Sequence, residues 1–139
     1  MFQRILLAYD GSEPARKALA RLPDLASAAS TELHVVAVGR VPEYAETKDE
    51  VDEAREQAES FYGKRLEEAA AALKGQGFAA ATHLAYGKPS EQILRVADEV
   101  RADLIVIAVH AHHALRRRIL GGTADKVVDS AECSVLVIR

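Results

Sequence analysis

The residues of this chain with the most chemical potential are crowded into one stretch, IAVHAHHALRRRILGGTADK, from Ile107 to Lys126. It holds His110, His112 and His113, then Arg116, Arg117 and Arg118, then Gly121, Gly122 and Thr123. Glycines let a ligand approach the backbone closely, and the amides that open a helix suit a phosphate, with the Thr123 hydroxyl as a further donor. The same residues also read as a plain helix entry capped by Thr123. One arginine could fork a phosphate with two parallel hydrogen bonds. Three in a row cannot share a ligand, because a helix turns each by about 100° from the last. The imidazoles suit zinc, yet no cysteine or carboxylate stands near them at a ligand spacing, so no metal site is expected.

A second chemical position is Asp10, in ILLAYDGS. Its carboxylate can accept hydrogen bonds from a ribose or an adenine amine. It can equally organise the Gly11–Ser12 turn and favour the helix that follows. Hydrolytic machinery is not legible: there is no G-x-S-x-G elbow. Cys133 precedes an apolar run and reads as core filling rather than as a nucleophile. These readings favour a binding module over an enzyme, with no catalytic residue assigned.

The elements that must position these residues alternate along the chain. Near-continuous apolar runs at Arg4–Tyr9, Leu33–Val38, Asp103–Val109 and Ser134–Arg139 read as strands covered on both faces, and the weaker Ala81–Gly87 reads as an edge strand. Between them lie helical patterns. The first opens on Ser12 and Pro14 and presents Ala15, Ala18, Leu19, Leu22, Leu25 and Ala26, with Pro23 expected to kink or interrupt it. A long one spans about Lys48 to Leu73, a third opens at Pro89 and Ser90, and the last opens near Gly122. The alternation β-α-β-α-β-α-β-α-β predicts a doubly wound α/β fold in a single domain over residues 1–139. Ligands of such sheets bind beyond the carboxyl ends of the strands, at the switch point. Asp10, the segment after Val38 and the Ile107–Lys126 stretch all fall there.

Composition narrows the class. A 139-residue chain, 49% hydrophobic and 28% charged, is long enough for one real core. Its net charge of −3 and lack of interleaved aromatics give nothing to attract nucleic acid or an anionic membrane. No run approaches the length of a bilayer span. The N-terminal apolar patch lacks a small-residue cleavage site, and a single cysteine excludes an internal disulfide framework, so a cytoplasmic protein is expected.

Over its whole length the sequence resembles the universal stress protein family. ILLAYDGSEPARKAL is similar to that family's first strand, acidic turn and first helix. YGKPSEQILRVADEVRADLIVIAV is similar to its third crossover and fourth strand, and GGTADKVVDSAECSVLVIR to its final helix and strand. The resemblance implies a five-stranded parallel sheet in the order 3-2-1-4-5, of the adenine nucleotide alpha hydrolase-like type. It also implies a homodimer formed through the last strand, by Val135, Leu136, Val137 and Ile138. ATP-binding members carry G-x2-G-x9-G-(S/T) after strand four. Here Ala108 and Ala111 stand at the first two glycines, Gly121 at the third, and Gly122 at the Ser/Thr position, with the nine-residue spacer His112–Leu120 intact. Members that lack these glycines are associated with not binding ATP. Two readings therefore stand: ATP or AMP bound with magnesium, or a nucleotide-free adaptor that serves a protein partner. A slow nucleotide hydrolase is a third. By family position, Ala8, Asp10 and Val38 would line the adenine side, and Ala108, Ala111, Gly121, Gly122 and Thr123 the phosphate side, with His110 near.

Overall fold

The computed structural model describes residues 2–40, 46–109 and 121–139. In chain order the elements are β1 (Arg4–Ala8), α1 (Glu13–Leu25), β2 (Glu32–Gly39), α2 (Lys48–Gly75), β3 (Ala80–Tyr86), α3 (Pro89–Val100), β4 (Leu104–Ala108), α4 (Gly122–Ser130) and β5 (Ser134–Ile138). The strands form one parallel sheet in the order β3-β2-β1-β4-β5. This is the doubly wound sheet that the apolar runs and the family resemblance imply.

Consecutive strand residues point to opposite faces, so a strand with no exposed residue must be covered twice. Ile5, Leu6 and Leu7 of β1 are all 0% exposed. Ile5 and Leu7 join a core with Leu22 of α1 and Leu66 and Leu73 of α2. Leu6 joins the opposite core with Ile93 and Val96 of α3 and Val127 of α4. The chain thus places α1 and α2 on one face and α3 and α4 on the other. Right-handed crossovers running outward in both directions from β1 and β4 require that division.

Local signals set most boundaries. Ser12 caps α1, its hydroxyl accepting from the Ala15 amide, and Pro14 lies in the first turn. Pro23 does not interrupt α1 where it occurs. The helix continues to Leu25, and the Ala26 amide closes it on the Pro23 carbonyl. A proline this close to the end costs little, since only the last turn depends on the missing donor.

Asp103 ties the two central strands together. Its Oδ2 accepts from the Gln3 amide at 2.8 Å and its Oδ1 from the Arg4 amide at 2.9 Å. Burial alone would push this carboxyl up, but the hydrogen bonds from Gln3 and Arg4 outweigh it and hold it below the usual aspartate range. A carboxyl held low stabilises the fold above its unfolded value, and that contribution is lost as pH falls through the folded value. Asp103→Ala should therefore lower stability by about 1–2 kcal/mol at neutral pH, the upper figure being limited by solvent at this half-exposed position. The gap between wild type and variant in urea melts should close as pH falls below the ordinary aspartate value of 3.8. A gap that is constant with pH would sink this account.

Candidate functional site

The crevice begins where the central strands part. β1 and β4 pair at Ile5–Leu104, Leu6–Ile105 and Leu7–Val106, and no further. Beyond that point β1 stays with β2, with the Tyr9 amide donating to the Val36 carbonyl at 2.8 Å. β4 stays with β5, with the Val109 amide donating to the Ile138 carbonyl at 2.9 Å. Each strand follows its outer neighbour because its next helix leaves in that direction. The resulting gap is the switch point.

The described residues enclose about 300 Å³ there, the low end of the range for small-molecule sites. Ala8 of β1, Val38 of β2 and Ala108 of β4 form its apolar base, and Asp10, Gly121, Gly122 and Thr123 stand around it. Each described residue singled out from the sequence as a site candidate therefore lines one cleft. His110 and Ala111 lie outside the described residues, as do His112, His113 and the three arginines.

Asp10 is exposed, and its Oδ1 accepts the Ser12 amide at 2.9 Å. The turn-forming role is thus real. One oxygen is engaged there, while the residue still borders the cleft. Gly11 makes the turn at φ +81°, with the Arg65 side chain packed where a Cβ would be, 2.6 Å away. Arg65 lies over the Phe61 ring, 3.6 Å from its centroid, and donates to the Phe61 carbonyl at 3.1 Å.

The start of α4 departs from one reading of the sequence. Thr123 is not the N-cap. Gly121 is, at φ +102° and ψ 154°, a conformation that favours glycine, and among the described residues no side chain caps the helix. The first turn of α4 thus presents amide donors at the cleft, together with the positive end of the helix dipole. Ser12 and Pro14, at the start of α1, line the same cleft.

Several lining residues were not legible as site residues. Arg40 follows β2 directly, a position that the carboxyl-end rule could have flagged. Tyr62 of α2 and Ile93 of α3 read only as core positions, and both also face the cleft. Cys133 is elsewhere, half-buried against the α3–α4 core. Burial pushes its thiol up, which makes it a poor nucleophile. Among the described residues no three His, Cys, Asp or Glu side chains converge to hold a metal ion, and no helix is long and apolar enough to cross a membrane.

This arrangement can hold a flat group against an aliphatic floor, accept hydrogen bonds at Asp10 and donate them to an anion at α4. The profile of the universal stress protein family matches residues 1–139. A universal stress protein of Thermus aquaticus is 38% identical, with all of both chains covered. The universal stress protein YxiE of Bacillus subtilis is 32% identical over the same full extent. Among solved structures, the universal stress protein from Archaeoglobus fulgidus in complex with dAMP is similar with a TM-score of 0.60 at 26% identity, over 99% of this chain and 98% of that one.

Proposed function

The chain belongs to the universal stress protein family, and from that premise we propose that it is a cytoplasmic, homodimeric stress-response module whose switch-point cleft binds an adenine nucleotide. The observation that carries this reading is the convergence of Asp10 and the first turn of α4 on one aliphatic-floored cleft. The dAMP held by the Archaeoglobus fulgidus relative supports the ligand class. In this reading Ala8, Val38 and Asp10 take the base and ribose, and the amides of Gly121, Gly122 and Thr123 take the phosphate. His110 and Ala111 join the phosphate side by family position. If ATP is the ligand, magnesium is carried by its phosphates.

Isothermal titration with AMP, and with ATP plus magnesium, tests this directly. One aliquot should first be denatured and its supernatant analysed for co-purified nucleotide. Micromolar binding at about one site per chain is the expected result. No heat and no released nucleotide would favour the nucleotide-free adaptor, which the alanine at position 108 and the missing hydroxyl at position 122 also favour. Turnover above a buffer blank would instead favour a slow hydrolase.

Gly122→Ser restores the hydroxyl of the family motif. Among the described residues a Cβ at Gly122 meets nothing within 4 Å, and the residue opens the helix without a positive φ, so the change adds a donor without backbone strain. One additional hydrogen bond to a phosphate should tighten the nucleotide by about fivefold, roughly 1 kcal/mol. Gly121→Ser places the same hydroxyl on a φ of +102° and should weaken binding. Equal effects from the two variants would argue against phosphate at the start of α4.

The dimer is proposed through β5. This strand ends the sheet, so among the described residues one row of its backbone donors and acceptors has no strand partner. Leu136 and, on the adjacent α4, Val128 are exposed large apolar side chains. Pairing of β5 with a second copy would satisfy both.

A further inference from the structure

Away from the cleft, two histidines meet beneath α3. His34 of β2 and His83 of β3 lie on the same face of the sheet as Val36 and Ala85. Nδ1 of His34 and Nε2 of His83 are 2.9 Å apart, with ring centroids 5.1 Å apart. His34 is 7% exposed, and its Nε2 is buried without a hydrogen-bond partner among the described residues. The Glu32 carboxylate lies 3.5 Å from it and is itself engaged by Arg4 Nε at 2.9 Å.

The ring separation bears on what sits between the nitrogens. An imidazole nitrogen is roughly 1.1 Å from its ring centre, so a centroid distance of 5.1 Å leaves the two lone-pair directions nearly head-on. That is hydrogen-bond geometry. A chelated metal ion would require the two directions to meet at an angle.

We infer that His34 and His83 form a proton-operated latch that holds edge strand β3 to β2 and opens when the pair takes up its full complement of protons. A single proton lies between the facing nitrogens. One extra proton leaves the N–H···N hydrogen bond in place. With a second, N–H faces N–H across the short gap, and the hydrogen bond becomes a repulsion between two cations. The charged groups around the pair are Glu32 on β2, Arg4 on β1 through Glu32, and Glu99 on α3, which is bridged to Arg95. β3 has no other charged residue.

The balance of these groups agrees with the geometry. Burial, and next the neighbouring His34, hold the His83 imidazole below the ordinary histidine value, with Glu99 pulling back more weakly. A histidine held low binds its proton less readily in the folded chain than in the unfolded one. The His83 contribution to stability is therefore full above the ordinary value of 6.5 and is lost as pH falls from there through the folded value. The loss should be concentrated in β3. This strand ends the sheet, and Ala85 alone of its seven residues is buried.

Amide hydrogen exchange across the sheet, at about pH 7.5 and about pH 5.5 and corrected for intrinsic rates, tests the latch. The wild type should lose β3 protection several-fold on acidification, while β1 and β4 hold theirs. His83→Gln keeps a hydrogen-bonding side chain that does not titrate, so its β3 protection should be flat over the same range. The double variant His34→Leu/His83→Leu, which removes both polar partners together, should also be flat. His110, His112 and His113 remain in every protein, so the difference isolates the pair. An equal acid loss in wild type and variants overturns the latch, as does a loss spread evenly over all strands or no loss at all. If neither variant folds, imidazole titration of the wild type by NMR decides. Titration of His83 below the ordinary histidine value supports the latch, and titration at or above it overturns the latch.

Discussion

Leu136→Asp is expected to convert the proposed dimer to a monomer, or to a monomer that aggregates slowly, as read by size exclusion with light scattering. Leu136 is 36% exposed in the single chain, because the α1–α2 layer covers the central strands and leaves the outer face of β5 open. A carboxylate there costs the isolated chain little. In a paired β5 edge it would face its own symmetry mate in an apolar contact, where unpaired like charges cost several kcal/mol. The self-association constant should fall by more than about 100-fold. Val137→Asp should also abolish the dimer but is a less clean test, since Val137 packs against the α3–α4 core and its loss would destabilise the chain itself. A wild-type monomer, or a Leu136→Asp dimer unchanged in mass, would remove the β5 interface.

Gly39→Ala should lower stability by about 1–3 kcal/mol, the range for forcing a methyl into a packed contact. Gly39 ends β2 beneath α2, and a Cβ there would lie 2.7 Å from the Ala58 Cβ and 3.3 Å from the Tyr86 ring. Neither neighbour can swing aside: Ala58 has no torsion to turn, and the Tyr86 ring lies under the Arg55 guanidinium. The added methyl must therefore lift α2 from the sheet. Because α2 brings Tyr62 to the cleft, ligand affinity should fall along with the urea midpoint. Ala58→Gly removes the opposing methyl but costs about 1 kcal/mol of helix propensity. The double variant should then recover part of the loss, a favourable coupling in a double-mutant cycle. An unchanged midpoint for Gly39→Ala would show that α2 is not seated on Gly39.

A structural role at the cleft does not compete with the proposed binding role. Asp10 closes the turn with one carboxylate oxygen and borders the cleft. Asking whether it is structural or functional sets up a false choice, because the turn is what aims the residue.

The strand runs, the helix patterns and hence the doubly wound class were legible in the sequence, because burial on both faces writes an unbroken apolar run and burial on one helix face writes a 3.6-residue period. Asp10, Gly121 and Gly122 were legible as candidates for a related reason: each follows or precedes an element boundary, and the fold class says which boundaries meet. Other features were decided only by the tertiary structure. Thr123 reads as a cap, but the backbone turns one residue pair earlier, at Gly121, where φ of +102° suits glycine. Tyr62 and Ile93 carry the same pattern as any core residue, and only the length and seating of α2 and α3 bring them to the cleft. His34 and His83 are 49 positions apart, and only the parallel register of β2 on β3, which sets His83 across from Val36, brings them together as diagonal neighbours on one face. Periodicity records what each residue does within its own element. It carries no record of which residue of another element lies opposite, and that is where the cleft and the histidine pair are made.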